Sequence, residues 1–139
     1  MPRMPPDLPA APPEQARSPP VILLVEDEVT IRFALSEYLK LSDFTVLEAS
    51  NADDAIELLL TDERVDLVFS DIMMPGSLDG FGLADWIRAQ RPEVPVILTS
   101  GLPQKVLEAK ALCEEDAAVL PKPYALDDVG YRIRLLLAQ

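Results

Sequence analysis

Four stretches of the chain carry side chains that could share one reaction: Glu26-Asp27-Glu28, Ser70-Asp71, Thr99-Ser100 and Lys122. Each follows a short apolar run. The run that leads to Asp71, from Val65 to Phe69, is β-branched and aromatic and is closed by Pro75-Gly76. It reads as a buried strand ending in a loop, with Asp71 just past its carboxyl end. In an open α/β sheet that end is the rim where ligands bind. Taken singly, each stretch has a plainer account. Asp71 would cap a turn, the acidic triplet would complement a helix N-terminus, Thr99 would be a turn hydroxyl and Lys122 a solvated surface charge.

Taken together on one rim, they offer a carboxylate nucleophile, further carboxylates, a hydroxyl and an ammonium. Three converging carboxylates repel one another, and a hard divalent cation with oxygen ligands relieves that repulsion. Mg²⁺ is the expected ion, with Asp27 and Asp71 as direct ligands, the Met73 carbonyl as the third and Glu26 as an outer ligand through water. The set suits phosphoryl transfer to an aspartate. Asp71 would attack phosphorus in line, the cation would neutralise the spreading charge, and Lys122 and Thr99 would bind the remaining phosphoryl oxygens. The product is an acyl phosphate. No separate acid or base is required, and the chain contains no histidine to supply one.

The elements that must position these residues can be read from the apolar pattern. Strands are expected at Val21 to Val25, Thr45 to Ala49, Val65 to Ser70, Pro95 to Thr99 and Ala117 to Leu120. Between them lie helical patterns. One carries Ile31, Leu35, Tyr38 and Leu39, and the next, capped by Ser50 or Asn51, carries Ala55, Ile56, Leu59 and Leu60. A third, after Asp79-Gly80, carries Phe81, Ala84 and Ile87 and stops before Pro92. A shorter one runs from about Pro103 to Leu112, and the last carries Leu126, Val129, Ile133, Leu136 and Leu137. Gly130 inside it costs about 1 kcal/mol relative to alanine and predicts fraying. Strands apolar on both faces imply a parallel sheet covered by helices on each side. The expected fold is a flavodoxin-like doubly wound α/β sheet of five βα repeats, strand order 2-1-3-4-5.

Composition narrows the function classes. A chain of 139 residues suits one domain, and Cys113, the single cysteine, excludes an intramolecular disulfide. Cys113 falls in a predicted helix and reads as a small buried hydrophobe. The net charge of −12 disfavours nucleic acid and anionic membrane surfaces and favours a protein partner or a cation. Neither a signal segment nor an apolar run of membrane-spanning length is found, so a cytoplasmic protein is expected. Residues 1–20 hold eight of the fourteen prolines and are expected to form a disordered proline-rich arm before a folded unit over residues 21–139.

The residues resemble the receiver domain of two-component response regulators. Val21 through Glu28, Ser70-Asp71-Ile72-Met73-Met74-Pro75, Asp79-Gly80, Val96 through Ser100, and Lys122-Pro123 stand in that family's order and spacing, over about residues 20–139. The resemblance implies that Asp71 is phosphorylated from a histidine kinase or histidine phosphotransfer protein, that Asp27 binds Mg²⁺ with Glu26 beside it, that Thr99 and Lys122 sense the phosphoryl group, and that the Lys122-Pro123 bond is cis. It implies signalling to a protein target through the fourth helix, fifth strand and fifth helix, with homodimerisation left open.

Three departures stand out. Val119 occupies the switch position where most of the family has an aromatic residue, so the signal would travel by backbone or helix-four movement. The loop Pro75 to Gly80 is one residue longer than the commonest form and is similar to receivers found with hybrid histidine kinases. The chain ends at Gln139, directly after the fifth helix, and the expectation is a receiver that is either stand-alone or excised from a longer hybrid kinase. Met73 and Gly101 flank the phosphoryl position without polar side chains, so slow self-hydrolysis is expected. Two alternatives remain: an aspartyl-phosphate phosphatase, for which Met73 stands where a second carboxylate is needed, and an interaction module that works without phosphorylation.

Overall fold

A computed structural model describes residues 18–113 and 118–139 of the chain. The five strands are β1 (Val21–Val25), β2 (Thr45–Ala49), β3 (Leu67–Asp71), β4 (Val96–Ser100) and β5 (Val119–Pro121). The helices are α1 (Val29–Leu41), α2 (Ala52–Leu59), α3 (Gly80–Gln90), α4 (Pro103–Leu112) and α5 (Leu126–Leu137). The strands are all parallel and lie in the order 2-1-3-4-5. The expected flavodoxin-like α/β fold is the observed one.

Why the strands read as continuous apolar runs is visible in their packing. Successive side chains on a strand point to opposite faces. Ile22, Leu24, Leu67 and Phe69 pack with Leu35 and Leu39 of α1 and with Val129, Ile133 and Leu136 of α5. Leu23, Val25 and Val68 point the other way, onto Ala52, Ala55 and Leu59 of α2 and Leu83 and Ile87 of α3. A third cluster joins Ile72, Leu98 and Val119 to Ala84, Val106 and Ala109 under α4. β2, at one edge, is buried on neither side as fully, and its Thr45 and Glu48 are exposed.

Several boundaries differ from the sequence reading. Asp71 is the last residue of β3 rather than the residue after it, because its ladder partner Thr99 extends the pairing by one position. Leu60 does not face the core: it is the C-cap of α2 and is 72% exposed. Cys113 is not in a helix but caps the end of α4, half-buried, and burial pushes its thiol pKa up. Leu126, expected on the inner face of α5, is exposed. The arm expected over residues 1–20 lies outside the described residues up to residue 17, as does Ala117 of the expected fifth strand. Pro20 already joins the fold, its carbonyl accepting from the Thr45 N–H at 2.9 Å. Among the described residues no helix is long and apolar enough to cross a membrane.

Gly130 lies in an unbroken α5 and is buried, where fraying was expected. A Cβ there would stand 3.4 Å from the Tyr38 hydroxyl, so the missing side chain leaves room for that ring, and Tyr38 Oη donates to Asp127 at 2.8 Å. Two helix starts, those of α2 and α3, carry side-chain caps. The Asn51 side chain accepts from the Asp54 N–H at 2.8 Å, and Asp79 accepts from the Gly82 N–H at 2.9 Å. Replacing Asn51 by alanine is expected to cost about 1 kcal/mol of stability, measured as a shift in the urea midpoint at unchanged slope.

Candidate functional site

β1 runs out into Glu26, β3 ends at Asp71, β4 carries Thr99 and β5 leads straight to Lys122. The parallel register brings these four together, pairing Val25 with Ser70, Asp71 with Thr99, and Ser100 with Pro121. The Lys122 N–H donates to the Ser100 carbonyl at 2.9 Å, and the Ile72 N–H to the Thr99 carbonyl at 2.9 Å, which extends the ladder past the last strand residues. The peptide between Lys122 and Pro123 is cis.

The carboxylates of Glu26, Asp27 and Asp71 converge, with one oxygen from each within 4.8 Å of the others. Their exposures differ sharply: Glu26 and Asp71 are 4% and 7% exposed, whereas Asp27 faces solvent. Lys122 Nζ lies 3.0 Å from Asp71 Oδ2 and 3.9 Å from Glu26 Oε1. One ammonium therefore serves two buried carboxylates. The deficit appears in Glu26, whose pKa is raised to about 8. Burial is the main cause, followed by a hydrogen bond to Asp71 and the Asp71 charge, with Lys122 opposing. Without further positive charge, the site balances itself by holding a proton. The donors are all oxygen, and the missing charge is positive, so the residues fit a hard divalent cation.

Asp71 is held from several sides. Its Oδ1 accepts from the Met73 N–H at 3.2 Å, and its Oδ2 accepts from Lys122. Ser70 Oγ donates to the Asp71 carbonyl at 2.9 Å. The start of α3 presses on the same peptide: the Gly80 N–H donates to the Ile72 carbonyl at 2.8 Å, and a Cβ on Gly80 would overlap the Asp71 carbonyl oxygen and stand 2.6 Å from Ile72 Cα. Beyond the turn, Ser77 Oγ donates to the Asp53 carboxylate at 2.9 Å, tying the longer loop to α2.

Thr99 Oγ1 is buried and has no hydrogen-bond partner among the described residues. An unpaired buried hydroxyl costs about 1–3 kcal/mol, so its persistence points to a ligand that supplies the missing partner. Val119 is buried among Ile72, Leu98 and Val106, and its carbonyl accepts from Arg132 Nη1 at 2.6 Å. Tyr124 lies on the other side of Lys122. Its ring meets Phe69 edge-on at 6.1 Å, and burial, then the charges of Glu26 and Asp71, push its phenol up to about 12. Ile31, Gly101, Lys122, Pro123 and Tyr124 line a cleft of about 470 Å³ that opens beside the ammonium.

Two contributors were not legible in the sequence. Gly80 reads there as a turn residue, and only the backbone contact reveals its bearing on Asp71. Arg32 belongs to none of the motifs singled out in the sequence, yet its Nη1 donates to the Glu26 carbonyl at 2.8 Å. Its place five residues after Asp27 was the available signal, since the second turn of a helix can reach back to the loop that starts it.

The family model for the response regulator receiver domain matches residues 22–134. A cyclic di-GMP phosphodiesterase of Thermotoga maritima is 35% identical over 114 residues, which are 81% of this chain and 29% of that protein. Sensor kinase CckA of Brucella abortus is 31% identical over 117 residues, 84% of this chain and 12% of that protein. The chain thus spans less than a third of the length of either relative. Among solved structures, the response regulator protein TrrA of Thermotoga maritima, in complex with Mg²⁺-BeF, superposes with a TM-score of 0.74 at 26% identity, covering 84% of this chain and 98% of that one.

Proposed function

The chain belongs to the response regulator receiver domain family, and from that premise we propose that it accepts a phosphoryl group on Asp71 and signals by the change this makes in its protein contacts. Members of this family are generally signalling modules rather than enzymes. The observation that carries the proposal is the buried Thr99 hydroxyl without a partner, one ladder position across from Asp71. A phosphoryl group on Asp71 supplies acceptor oxygens where that hydroxyl has none.

The donor is a histidine kinase or a histidine phosphotransfer protein. An Asp71 carboxylate oxygen forms the new O–P bond while the P–N bond of the donor's phosphohistidine breaks, its electron pair staying with the imidazole. Asp27 and Asp71, with the Met73 carbonyl and with Glu26 behind them, would hold Mg²⁺, which when bound offsets the charge on the phosphoryl oxygens. Lys122, now bonded to Asp71 Oδ2, turns to a phosphoryl oxygen, and the Thr99 hydroxyl donates to another. Both movements act at the C-terminal ends of β4 and β5, so the α4, β5 and α5 face is the output surface for a protein target. With Val119 at the switch position, backbone movement carries the change. This reading takes residues 21–139 as the receiver unit, placed in the cytoplasm.

Phosphotransfer tests the proposal directly. A labelled phosphoryl group supplied on a histidine phosphotransfer protein should move to the wild-type chain and not to Asp71→Asn; transfer to both would contradict it. The acyl phosphate should then persist for many minutes once donor is removed, since Met73 and Gly101 offer no polar side chain to orient water. Decay within seconds would contradict that part of the account.

A further inference from the structure

We propose that Arg32 is a positioning residue of the cation site, holding the Glu26-Asp27 loop in place against the repulsion of its own carboxylates. This rests on the reading of the rim as a Mg²⁺ site. The loop leaves β1 with both polar groups of the Glu26 peptide engaged: its N–H donates to the Ala49 carbonyl at 3.1 Å, and its carbonyl accepts from Arg32 Nη1 at 2.8 Å. The first bond is the last of the β1–β2 ladder. The second is charge-assisted, which makes it roughly twice as strong as a bond between neutral groups.

The guanidinium does not float. Its Nε donates to Glu48 Oε1 at 3.2 Å, and the other Glu48 oxygen accepts from the buried Ser36 Oγ at 3.4 Å, one helical turn further along α1. Arg32 thus spends two different nitrogens of one planar group on two acceptors, one on β2 and one on the site loop. A lysine presents a single charged centre and cannot reproduce that fork. The Arg32 side chain is 20% exposed and its bond to the Glu26 carbonyl is partly shielded from water and salt, whereas the pair with Glu48 is open to solvent.

The geometry also sets a sign. Glu26, Asp27 and Asp71 bring negative charge to one point, and the Glu26 carbonyl would add its oxygen to that field if it turned inward. Arg32 keeps that oxygen turned toward α1 and places a fixed positive charge behind the loop rather than in it. It therefore orders the ligand carboxylates without occupying the place of the cation, unlike Lys122, which bonds Asp71 itself. Partners that orient metal ligands in this way typically change affinity by roughly 10- to 100-fold when removed.

The test is Mg²⁺ affinity, read from backbone amide chemical shifts during titration of the full chain with MgCl₂, beside thermal melts in chelator. Arg32→Ala is expected to weaken Mg²⁺ binding by about 10-fold, with Arg32→Lys restoring only a minor part and Glu48→Gln weakening binding less than Arg32→Ala. Arg64→Ala removes an ion pair to Asp66, whose carboxylate accepts from the Val21 N–H at the opposite end of β1, and should leave the affinity unchanged. If Arg32→Ala does not fold, Arg32→Lys and Glu48→Gln decide: both must bind Mg²⁺ more weakly than wild type. Variants that melt earlier yet bind Mg²⁺ within twofold of wild type would overturn the proposal and leave Arg32 a structural residue. A wild-type chain that shows no Mg²⁺-dependent shift would instead overturn the cation-site reading on which it rests.

Discussion

Gly80→Ala destabilises the protein by about 1–3 kcal/mol and slows phosphoryl uptake in the same variant. The reason is that the added methyl meets only backbone. It would overlap the Asp71 carbonyl oxygen and come within 2.6 Å of Ile72 Cα, and neither can swing away as a side chain could. Either α3 lifts from the sheet, at the expense of the Leu83 and Ile87 packing against Leu23 and Val68, or the Asp71 peptide shifts and carries the carboxylate with it. Gly130→Ala is the comparison. Its methyl would stand 3.2 Å from Arg134 Nη1 and 3.4 Å from the Tyr38 hydroxyl, a flexible end that can move, while alanine regains about 1 kcal/mol of helix propensity. Urea unfolding of both variants should place Gly130→Ala near wild type and Gly80→Ala well below it. Equal midpoints would remove the argument that the start of α3 sets the position of Asp71.

The second large effect is a dependence on pH that runs opposite to ordinary acid denaturation. In chelator, the protein should become more stable as pH falls from 8 to 5. Glu26 in the folded state titrates near 8, well above the ordinary carboxylate value of 4.5. Between those two values the folded state holds a proton that the unfolded state has released. Stability therefore falls as pH rises, by at most about 1.4 kcal/mol per pH unit, and levels off above 8. The chain has no histidine to obscure that window. Glu26→Gln should flatten the profile, and so should saturating Mg²⁺, since a bound cation favours the ionised carboxylate. A wild-type profile in chelator that is flat, or that rises with pH, would show that Glu26 is not the strained group of the site.

How much of this was legible in the sequence follows from which forces act locally. Strand order and the shared rim were readable because uninterrupted runs such as Val21 to Val25 fit only strands covered on both faces, and parallel strands between helices leave few topologies. Asp27, Asp71, Thr99 and Lys122 fell on that rim once the strand ends were placed. Burial at the site was not readable. Glu26 and Asp27 are adjacent and chemically alike, and only the sheet decides that the first turns inward beside Asp71 while the second faces solvent. Gly130 was read as a weak point because helix propensity is local, whereas its use lies in the neighbouring helix, where Tyr38 fills the space. Leu60 was placed on the core face because its periodicity continues past the last helical residue, and the turn at the C-cap carries it into solvent. Arg32 was passed over because a charge on a helix face is ordinarily solvated, and its spacing after Asp27 does not by itself single out the carbonyl one turn below it.

The central claim is that Asp71 accepts a phosphoryl group at a rim whose carboxylates need a cation. Intact-mass analysis after incubation with a small-molecule phosphodonor tests it most directly, on wild type and Asp71→Asn, with and without Mg²⁺. The account predicts one phosphoryl adduct on the wild type, only with Mg²⁺, and none on Asp71→Asn. An adduct that survives in Asp71→Asn would place the acceptor elsewhere, and no adduct under any condition would favour an interaction module that works without phosphorylation.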